Sequence, residues 1–406
     1  MVAWLCTALY YLYQYALRSA PAAMMPQLSA GFAISAAGAA SLVGLFYYAY
    51  APFSLVAGIA VDRWGARAVV PAGAVVVGIG ALLFAIGNKQ LAIIGMLAQG
   101  AGGVFALVGA VYIATKSFHA SRAGTLLGAT QMLGMAGGFL GQFLGGALIA
   151  AGAPWRTFWL VAGGCGIALG AALFVVLPHG QAARRYGWKR ESAQALLLVI
   201  RNPQSILCGL IAGLLFLPTT IFGMVWGVRY LQEAHGLDYG AAVMRSSTVP
   251  LGWIIGAPLL GFLSDRIGLR KPVIVAGASV LLASLAWILF GRPDLLPPYI
   301  LGFVAGVSSG AAMLPYTVAK EVNPAGMSGT ATGVVNFLNY AVSAVSGSVF
   351  GGALTRVSGG AIRRSLEHYQ TTFAPLLFCV GLAILLLRFL RETGPASRPQ
   401  LQYRAE

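Results

Sequence analysis

Long apolar segments make up most of this chain, and short polar connectors separate them. Twelve segments can be drawn, each long enough to cross a hydrocarbon core of about 30 Å at about 1.5 Å per helical residue. Backbone polar groups inside a bilayer must bond within their own segment or close a barrel, so these segments are expected to be helices. Their approximate ranges are 2–24, 35–60, 69–87, 91–114, 125–150, 156–177, 205–232, 241–263, 272–290, 299–319, 329–355 and 372–390. The sequence predicts an all-α membrane protein with twelve transmembrane helices.

The composition excludes a soluble fold. Hydrophobic residues make up 58% of the chain and charged residues only 9%, against about 25% charged residues in soluble domains. The net charge of +16 could suggest a nucleic-acid partner. However, the basic residues lie in the connectors, as the positive-inside bias of membrane proteins predicts. We therefore expect a lipid bilayer as the surroundings and no nucleic acid as a partner.

The distribution of Lys and Arg predicts the orientation. With both termini in the cytoplasm, 17 of these residues lie on the cytoplasmic side and 8 outside, while Arg18 lies within the first segment. No basic residue precedes Arg18, and the apolar stretch is longer than a signal-peptide core, so we interpret it as a retained first helix. We expect a multi-pass protein of the bacterial inner (cell) membrane.

The two halves of the chain are repeats. Residues 58–67 and 261–270 both follow the pattern G-x-x-x-D-R-x-G-x-R, at an offset of 203. Two later echoes have offsets of 205 and 206, and Gln131 and Asn336 are equivalent positions in the first of them. Transporters are often built from such repeats. We predict two pseudo-symmetric six-helix halves, 1–177 and 205–406, the second with a short cytoplasmic tail. The segment 178–204 between them is interpreted as a basic linker with a short interfacial helix.

The doubled motif resembles the loop motif of the major facilitator superfamily, and the resemblance covers essentially the whole chain. It implies a substrate cavity between the halves near the membrane midplane, and alternating access by rocking of the halves. It also implies a gating role for the charged motif residues, which would hold the cytoplasmic side closed. These residues are Asp62, Arg63, Arg67, Asp265, Arg266 and Arg270.

Other stretches of the sequence compare the chain with particular groups within this superfamily. The sequence from Tyr11 to Arg18 is similar to the first helix of bacterial relatives of MFSD-one-like lysosomal facilitators and of phagosomal amino-acid transporters. Drug antiporters of the superfamily have R-x-x-Q-G in span four, where this chain has Met96 in place of the arginine. They also have Gly-Pro in span five, where this chain reads Gly141-Gln142. Both departures argue against drug antiport.

Arg18 is the sharpest candidate for a ligand-binding residue. Tyr11, Gln14, Tyr15 and Arg18 recur at i, i+3, i+4 and i+7, so they share one helical face. A charge within a span is costly and usually faces a cavity or a partner, and guanidinium binds carboxylate or phosphate in a fork. Arg18 could instead tie helices together, or it could snorkel to the outer interface from a position late in the first segment.

Amide and aromatic side chains supply further candidates. Gln131 pairs with Asn336 across the repeat, and Asn336, Asn339 and Tyr340 share one face. Amides offer donors and acceptors to an uncharged or zwitterionic ligand, although they also bridge helices in membranes. Gln99 is a similar candidate, and Trp226 could stack on the ligand or simply pack.

No acidic residue lies at the middle of a predicted segment, so a carboxylate proton relay is not expected. The chain shows no catalytic triad, phosphate loop or metal-ligand spacing, and we expect no enzymatic activity, metal or cofactor. The main hypothesis is a monomeric carrier for a small carboxylate-bearing solute, such as an amino acid, a short peptide or an organic acid. The alternatives are an efflux pump for hydrophobic compounds and a membrane sensor that does not transport.

Overall fold

The computed structural model describes residues 1–117, 120–177, 188–291, 298–324, 327–361 and 364–397, apart from the side chains of a few residues within these ranges. The described chain is helical almost throughout. The helices are α1 (Val2–Ser19), α2 (Pro21–Gly31), α3 (Ala36–Trp64), α4 (Ala66–Ala85), α5 (Lys89–Ser117), α6 (Ala120–Ala150), α7 (Trp155–Val176), α8 (Trp188–Arg201), α9 (Pro203–Leu217), α10 (Gly227–His235), α11 (Tyr239–Ile267), α12 (Lys271–Phe290), α13 (Pro298–Ser309), α14 (Leu314–Glu321), α15 (Ser328–Val357), α16 (Leu366–Phe373) and α17 (Pro375–Leu386).

These helices form the twelve predicted spans. Eleven helical stretches in the described chain are long and apolar enough to cross a membrane, judged by length and composition. The α1–α2 pair is the twelfth, and its polar residues lower its hydropathy. The prediction of an all-α, twelve-helix membrane fold in two pseudo-symmetric six-helix bundles is confirmed. The boundaries 1–177, 178–204 and 205–406 stay a prediction; α8 lies between the sixth and seventh spans, and residues 178–187 are outside the described part.

The first span is longer than predicted. It continues to Gly31 instead of ending near residue 24, and Pro26 lies inside α2. Ala20 keeps helical angles and its N–H bonds to Ala16 O at 2.9 Å. Pro21 follows without an N–H to donate, which divides the span into α1 and α2. Arg18 therefore lies at the middle of the first span rather than late in it.

Two other spans contain irregular turns. In the seventh, the π-helix Pro218–Trp226 separates α9 from α10, and the Gly227 N–H reaches back five residues to Phe222 O. Pro218 starts the π-helix because it cannot donate the regular helical hydrogen bond. The twelfth span begins at Leu366 rather than near residue 372, since Ser365 and His368 form a capping box there.

The two halves meet through α3 against α15 and through α6 against α11. We call the end of the bundle with the loops at 62–67 and 265–271 the motif end, and the other the far end. Several hydrogen bonds join the halves on the far-end side of the centre. They are Tyr239 OH to Ala23 O (2.5 Å), Tyr48 OH with Ser348 Oγ (3.2 Å) and Gln142 Nε2 to Gly223 O (3.2 Å). The structure is thus closed at the far end.

Candidate functional site

The Arg18 side chain lies at the centre of the bundle, where the two halves meet. It is only 3% exposed, and its Cζ lies 3.7 Å from the centre of the Tyr15 ring. Four further aromatic rings have their centres within 6.0 Å of the same atom, namely those of Phe46, Tyr47, Phe216 and Tyr340. Both the mid-span position and the ring cage argue against snorkelling.

A chain of hydrogen bonds runs from Arg18 through the tyrosines. Arg18 Nη1 donates to Tyr340 OH at 3.1 Å, and Tyr340 OH lies 3.2 Å from Tyr15 OH. Tyr11 OH is 3.3 Å from Tyr15 OH and donates to Gln131 Oε1 at 2.7 Å. Tyr340 belongs to α15 in the second half, so this chain joins the halves at the centre. The structure brings these five predicted residues together.

The Arg18 guanidinium is incompletely satisfied. Its Nε and Nη2 atoms are buried and have no hydrogen-bond partner in the protein. No ion pair to Arg18 is present in the described part of the chain. A buried charge in an apolar medium needs a partner or several hydrogen bonds. Aromatic faces attract the cation but supply no negative charge. The arrangement can therefore accept an anionic group at the centre of the protein.

Polar groups beside Arg18 offer further contacts to a ligand. Tyr316 OH donates to Asn336 Oδ1 at 3.1 Å and accepts from Asn339 Nδ2 at 3.0 Å. Asn339 Oδ1, Tyr50 OH and both amide atoms of Gln14 are buried without a partner. These atoms include donors and acceptors, so the region can match a ligand that is both charged and polar.

Gln99 and Trp226 lie apart from this group. Gln99 contacts Met96 Sδ at 3.7 Å and packs against α4, where a Cβ added to Gly80 would lie 2.9 Å from Gln99 Cγ. Trp226 is fully buried and faces the twelfth span, with its ring centre 6.3 Å from that of Phe373.

Sequence reasoning missed the aromatic residues that surround Arg18 from other spans. The signal was present in the run Phe46-Tyr47-Tyr48-Ala49-Tyr50 of α3, where three of these rings face the centre. The Tyr50 ring centre lies 4.3 Å from that of Tyr340. Among the described residues, no group of three or more His, Cys, Asp or Glu side chains could hold a metal.

The second copy of the loop motif forms a compact charge cluster at the motif end. Arg270 is buried, with its Nη1 2.5 Å from Asp265 Oδ1 and its Nη2 3.0 Å from Glu321 Oε1. Burial alone would lower the pKa of Arg270, but the hydrogen bonds to Glu321 and Asp265 outweigh it and raise the pKa. The Glu392 carboxylate accepts from the N–H groups of Arg270 and Lys271 at 2.7 and 2.9 Å. These contacts tie the motif loop to α14 and to the C-terminal segment.

The other motif residues are less fully defined. Arg67 donates to Leu177 O at 3.2 Å and lies over the Phe174 ring, both within the first half. Arg266 is exposed. The side chains of Asp62 and Arg63 lie outside the described residues. The gating role of all six residues stays a prediction.

Gln142 was seen in the sequence only as a departure from a drug-antiporter motif. It is fully buried in α6 and bridges the halves at the far end. Its Nε2 donates to Gly223 O, and its Oε1 accepts from Ser247 Oγ at 3.5 Å. Gly223 belongs to the π-helix, and its carbonyl also accepts from Ser246 Oγ at 3.1 Å. One amide thus connects α6 to two spans of the other half.

At 25% identity the chain is similar to the membrane sensor protein UhpC of Salmonella typhimurium LT2, over 97% of this chain and 91% of the relative. It is 24% identical to UhpC of Escherichia coli K12 with the same coverage.

Solved structures with the same fold include the nucleoside transporter NupG, with a TM-score of 0.75 at 14% identity, covering 95% of this chain and 99% of that one. An inward-facing, unoccupied bacterial homologue of the human lysosomal transporter Spinster gives 0.74 at 15% identity, covering 95% of each chain. The proton:xylose symporter XylE gives 0.71 at 14% identity, covering 97% of this chain and 96% of that one. The family model of the Major Facilitator Superfamily matches residues 3–347. The chain therefore belongs to the major facilitator superfamily.

Proposed function

We propose that this protein is a secondary transporter that moves a small organic solute with an anionic group across the bacterial inner membrane by alternating access. The favoured substrates carry a carboxylate: an amino acid, a short peptide or an organic acid. The observation that carries the proposal is the buried guanidinium of Arg18, which has two free donor atoms and no ion pair in the described chain.

The ring cage supports an anion rather than a neutral ligand. A guanidinium at the centre of a span costs about 2.5–3.5 kcal/mol on insertion scales. The described residues around Arg18 supply rings and phenols instead of a carboxylate. A ligand carboxylate would neutralise the charge and could bond to Nε and Nη2 together. The carboxylate class is favoured because the neighbouring amides suit a zwitterionic or hydroxylated remainder.

The closed far end fits one state of an alternating-access cycle. If the motif end is cytoplasmic, as the Lys and Arg distribution indicates, the structure is closed to the outside. In this proposal the ion pair of Asp265 with Arg270 helps to hold the cytoplasmic side closed. An Asp265→Asn variant tests this gating role, since labelling of cysteines introduced at the motif end should increase.

The experiment that tests the proposed function is a thermal-shift screen of the purified protein against amino acids, dipeptides, organic acids and phosphate esters. A ligand that binds only the native state raises the melting temperature. At a hundredfold excess over Kd it increases the free energy of unfolding by about 2.7 kcal/mol. We expect stabilisation by at least one carboxylate-bearing compound and none by its amide or ester. Stabilisation by phosphate esters alone would overturn the carboxylate class, and stabilisation by neutral compounds alone would overturn the anion class.

A second candidate function is a membrane sensor that binds the same kind of ligand without moving it. The relatives at 25% and 24% identity are both named membrane sensor proteins. Proteoliposomes decide between the two functions. A transporter should accumulate or exchange the radiolabelled ligand found in the screen, whereas a sensor should bind it with no flux above that of empty liposomes.

The orientation yields a separate prediction. An alkaline phosphatase or fluorescent-protein reporter fused after Arg190 should report a cytoplasmic location, as should one fused after Glu406. The basis is the excess of Lys and Arg on that side, 17 against 8. A periplasmic signal at either position would contradict the twelve-span topology with both termini inside.

A further inference from the structure

A second group of buried charges lies at the far end of the second half, outside the Arg18 site. Glu233 on α10 is ion-paired with Arg229, one turn earlier on the same helix. Its other oxygen accepts a hydrogen bond from Tyr369 OH on α16 at 2.8 Å. Arg364, which precedes α16, places its Nη1 3.7 Å from that same oxygen. The group therefore joins the seventh span to the start of the twelfth.

The charges of this group do not balance. Two guanidinium groups face one carboxylate, which leaves one excess positive charge. The side chains of Arg364, Arg229 and Glu233 are 5%, 13% and 12% exposed, so water screens the excess only weakly. Glu367, the acidic residue of α16, is exposed. No second ion pair to Arg364 is present in the described chain.

Hydrogen-bond donors in the same place also lack acceptors. Nε and Nη1 of Arg364 are buried without a hydrogen-bond partner, and so is Nε1 of Trp226. The Arg364 Cζ lies 5.9 Å from the centre of a Trp226 ring, so the two side chains are neighbours. Most buried donors in proteins are paired. Unpaired donors beside an excess positive charge indicate a place for a ligand with several acceptor oxygens.

We propose that Arg364, Arg229 and Trp226 form a second anion-binding site, which takes a phosphate group. A phosphate offers enough oxygens for both guanidinium groups and the indole N–H, and arginine matches its geometry. Arg229 lies six residues before the end of α10 at His235, about 9 Å along the helix axis. This depth suits the headgroup region of a bilayer, so the phosphate can come from a phospholipid or from solution.

The test uses the purified full-length protein carrying Arg18→Gln, so that the central site does not respond to anions. Melting temperatures are measured with inorganic phosphate against chloride at equal ionic strength, and with mixed micelles of phosphatidylglycerol and detergent against detergent alone. We expect at least one phosphate source to raise the melting temperature. Adding Arg364→Gln should weaken its apparent affinity roughly 10- to 100-fold, because it removes charge-assisted hydrogen bonds. Adding Arg356→Gln is the matched control. Arg356 is an exposed arginine in the last turn of α15, eight residues before Arg364, and its replacement should leave the affinity unchanged.

The outcomes separate the two sources. A response to inorganic phosphate alone identifies a free phosphate, and a response to phosphatidylglycerol alone identifies a headgroup. No response to either source, or an equal response after Arg364→Gln, would overturn the site. If Arg364→Gln does not fold, Trp226→Phe decides instead. It keeps an aromatic ring and removes the indole N–H donor, so an unchanged affinity would contradict the proposal.

Discussion

Arg18→Gln should abolish binding of the ligand found by thermal-shift screening, while the protein still folds. Losing one partner of a buried, hydrogen-bonded charge pair costs about 2–5 kcal/mol, or roughly a 30- to 5000-fold loss of affinity. Arg18→Lys keeps the charge but loses the planar fork, so it should recover only part of the binding. The affinity is measured by isothermal titration calorimetry on the purified variants, together with uptake in proteoliposomes.

The matched control for this experiment is Arg156→Gln. Arg156 is an exposed arginine in the same half, and its replacement changes the net charge by the same amount. Binding by Arg156→Gln should equal that of the unmodified protein. If Arg18→Gln also binds and transports normally, Arg18 has a structural role between the halves. The amide group of Asn336 and Asn339 would then become the leading candidate site.

Much of this fold follows from periodicity and segment length. Twelve apolar segments, a repeated loop motif and a polar face on the first helix are local patterns, and each depends on residues within one helix or loop. Tyr11, Tyr15 and Arg18 lie on one face of α1, because an uninterrupted α-helix keeps a period of 3.6 residues.

The sequence could not supply the contacts that depend on several helices. The direction of Trp226 is set by the π-helix Pro218–Trp226, whose wider turn rotates every later side chain relative to a regular helix. Gln99 faces α4 rather than the centre, because Gly80 and Gly95 bring α4 and α5 close together there. The rings of Tyr47 and Phe216 reach Arg18 from two other spans, and periodicity within one span cannot reveal that approach.

The length of the first span is another feature that the sequence did not predict correctly. Pro26 lies in the middle of α2, since the carbonyl group that its missing N–H leaves unbonded can be tolerated within a bundle. A proline in one sequence does not show whether a helix ends or continues. The error mattered for function, because the shorter span placed Arg18 near the membrane surface and kept snorkelling open as an interpretation.

Gln142→Leu should shift the protein toward states that are open at the far end. The substitution removes the two hydrogen bonds of the amide between the halves, to Gly223 O and from Ser247 Oγ. It leaves no buried partner unpaired, since Gly223 O still accepts from Ser246 and the Ser247 hydroxyl still donates to Val243 O at 2.8 Å. Each bond contributes about 0.5–1.5 kcal/mol net. The open population should therefore rise roughly 5- to 150-fold.

The measurement is the labelling rate of a cysteine placed at Ala37 by a membrane-impermeant maleimide, with the exposed Cys165 replaced by Ala. Ala37 is buried where α3 meets α15, next to Gly351, so it reacts only when the far end opens. Gln204→Leu is the matched control. The Gln204 amide also makes two hydrogen bonds, to Phe389 O and from the Arg391 N–H, but these join α9 to the segment after α17 and do not connect the two halves. Because opening separates the halves, only the loss of bonds between them should speed labelling. Equal rates in the two variants would show that Gln142 supports packing without holding the far end closed.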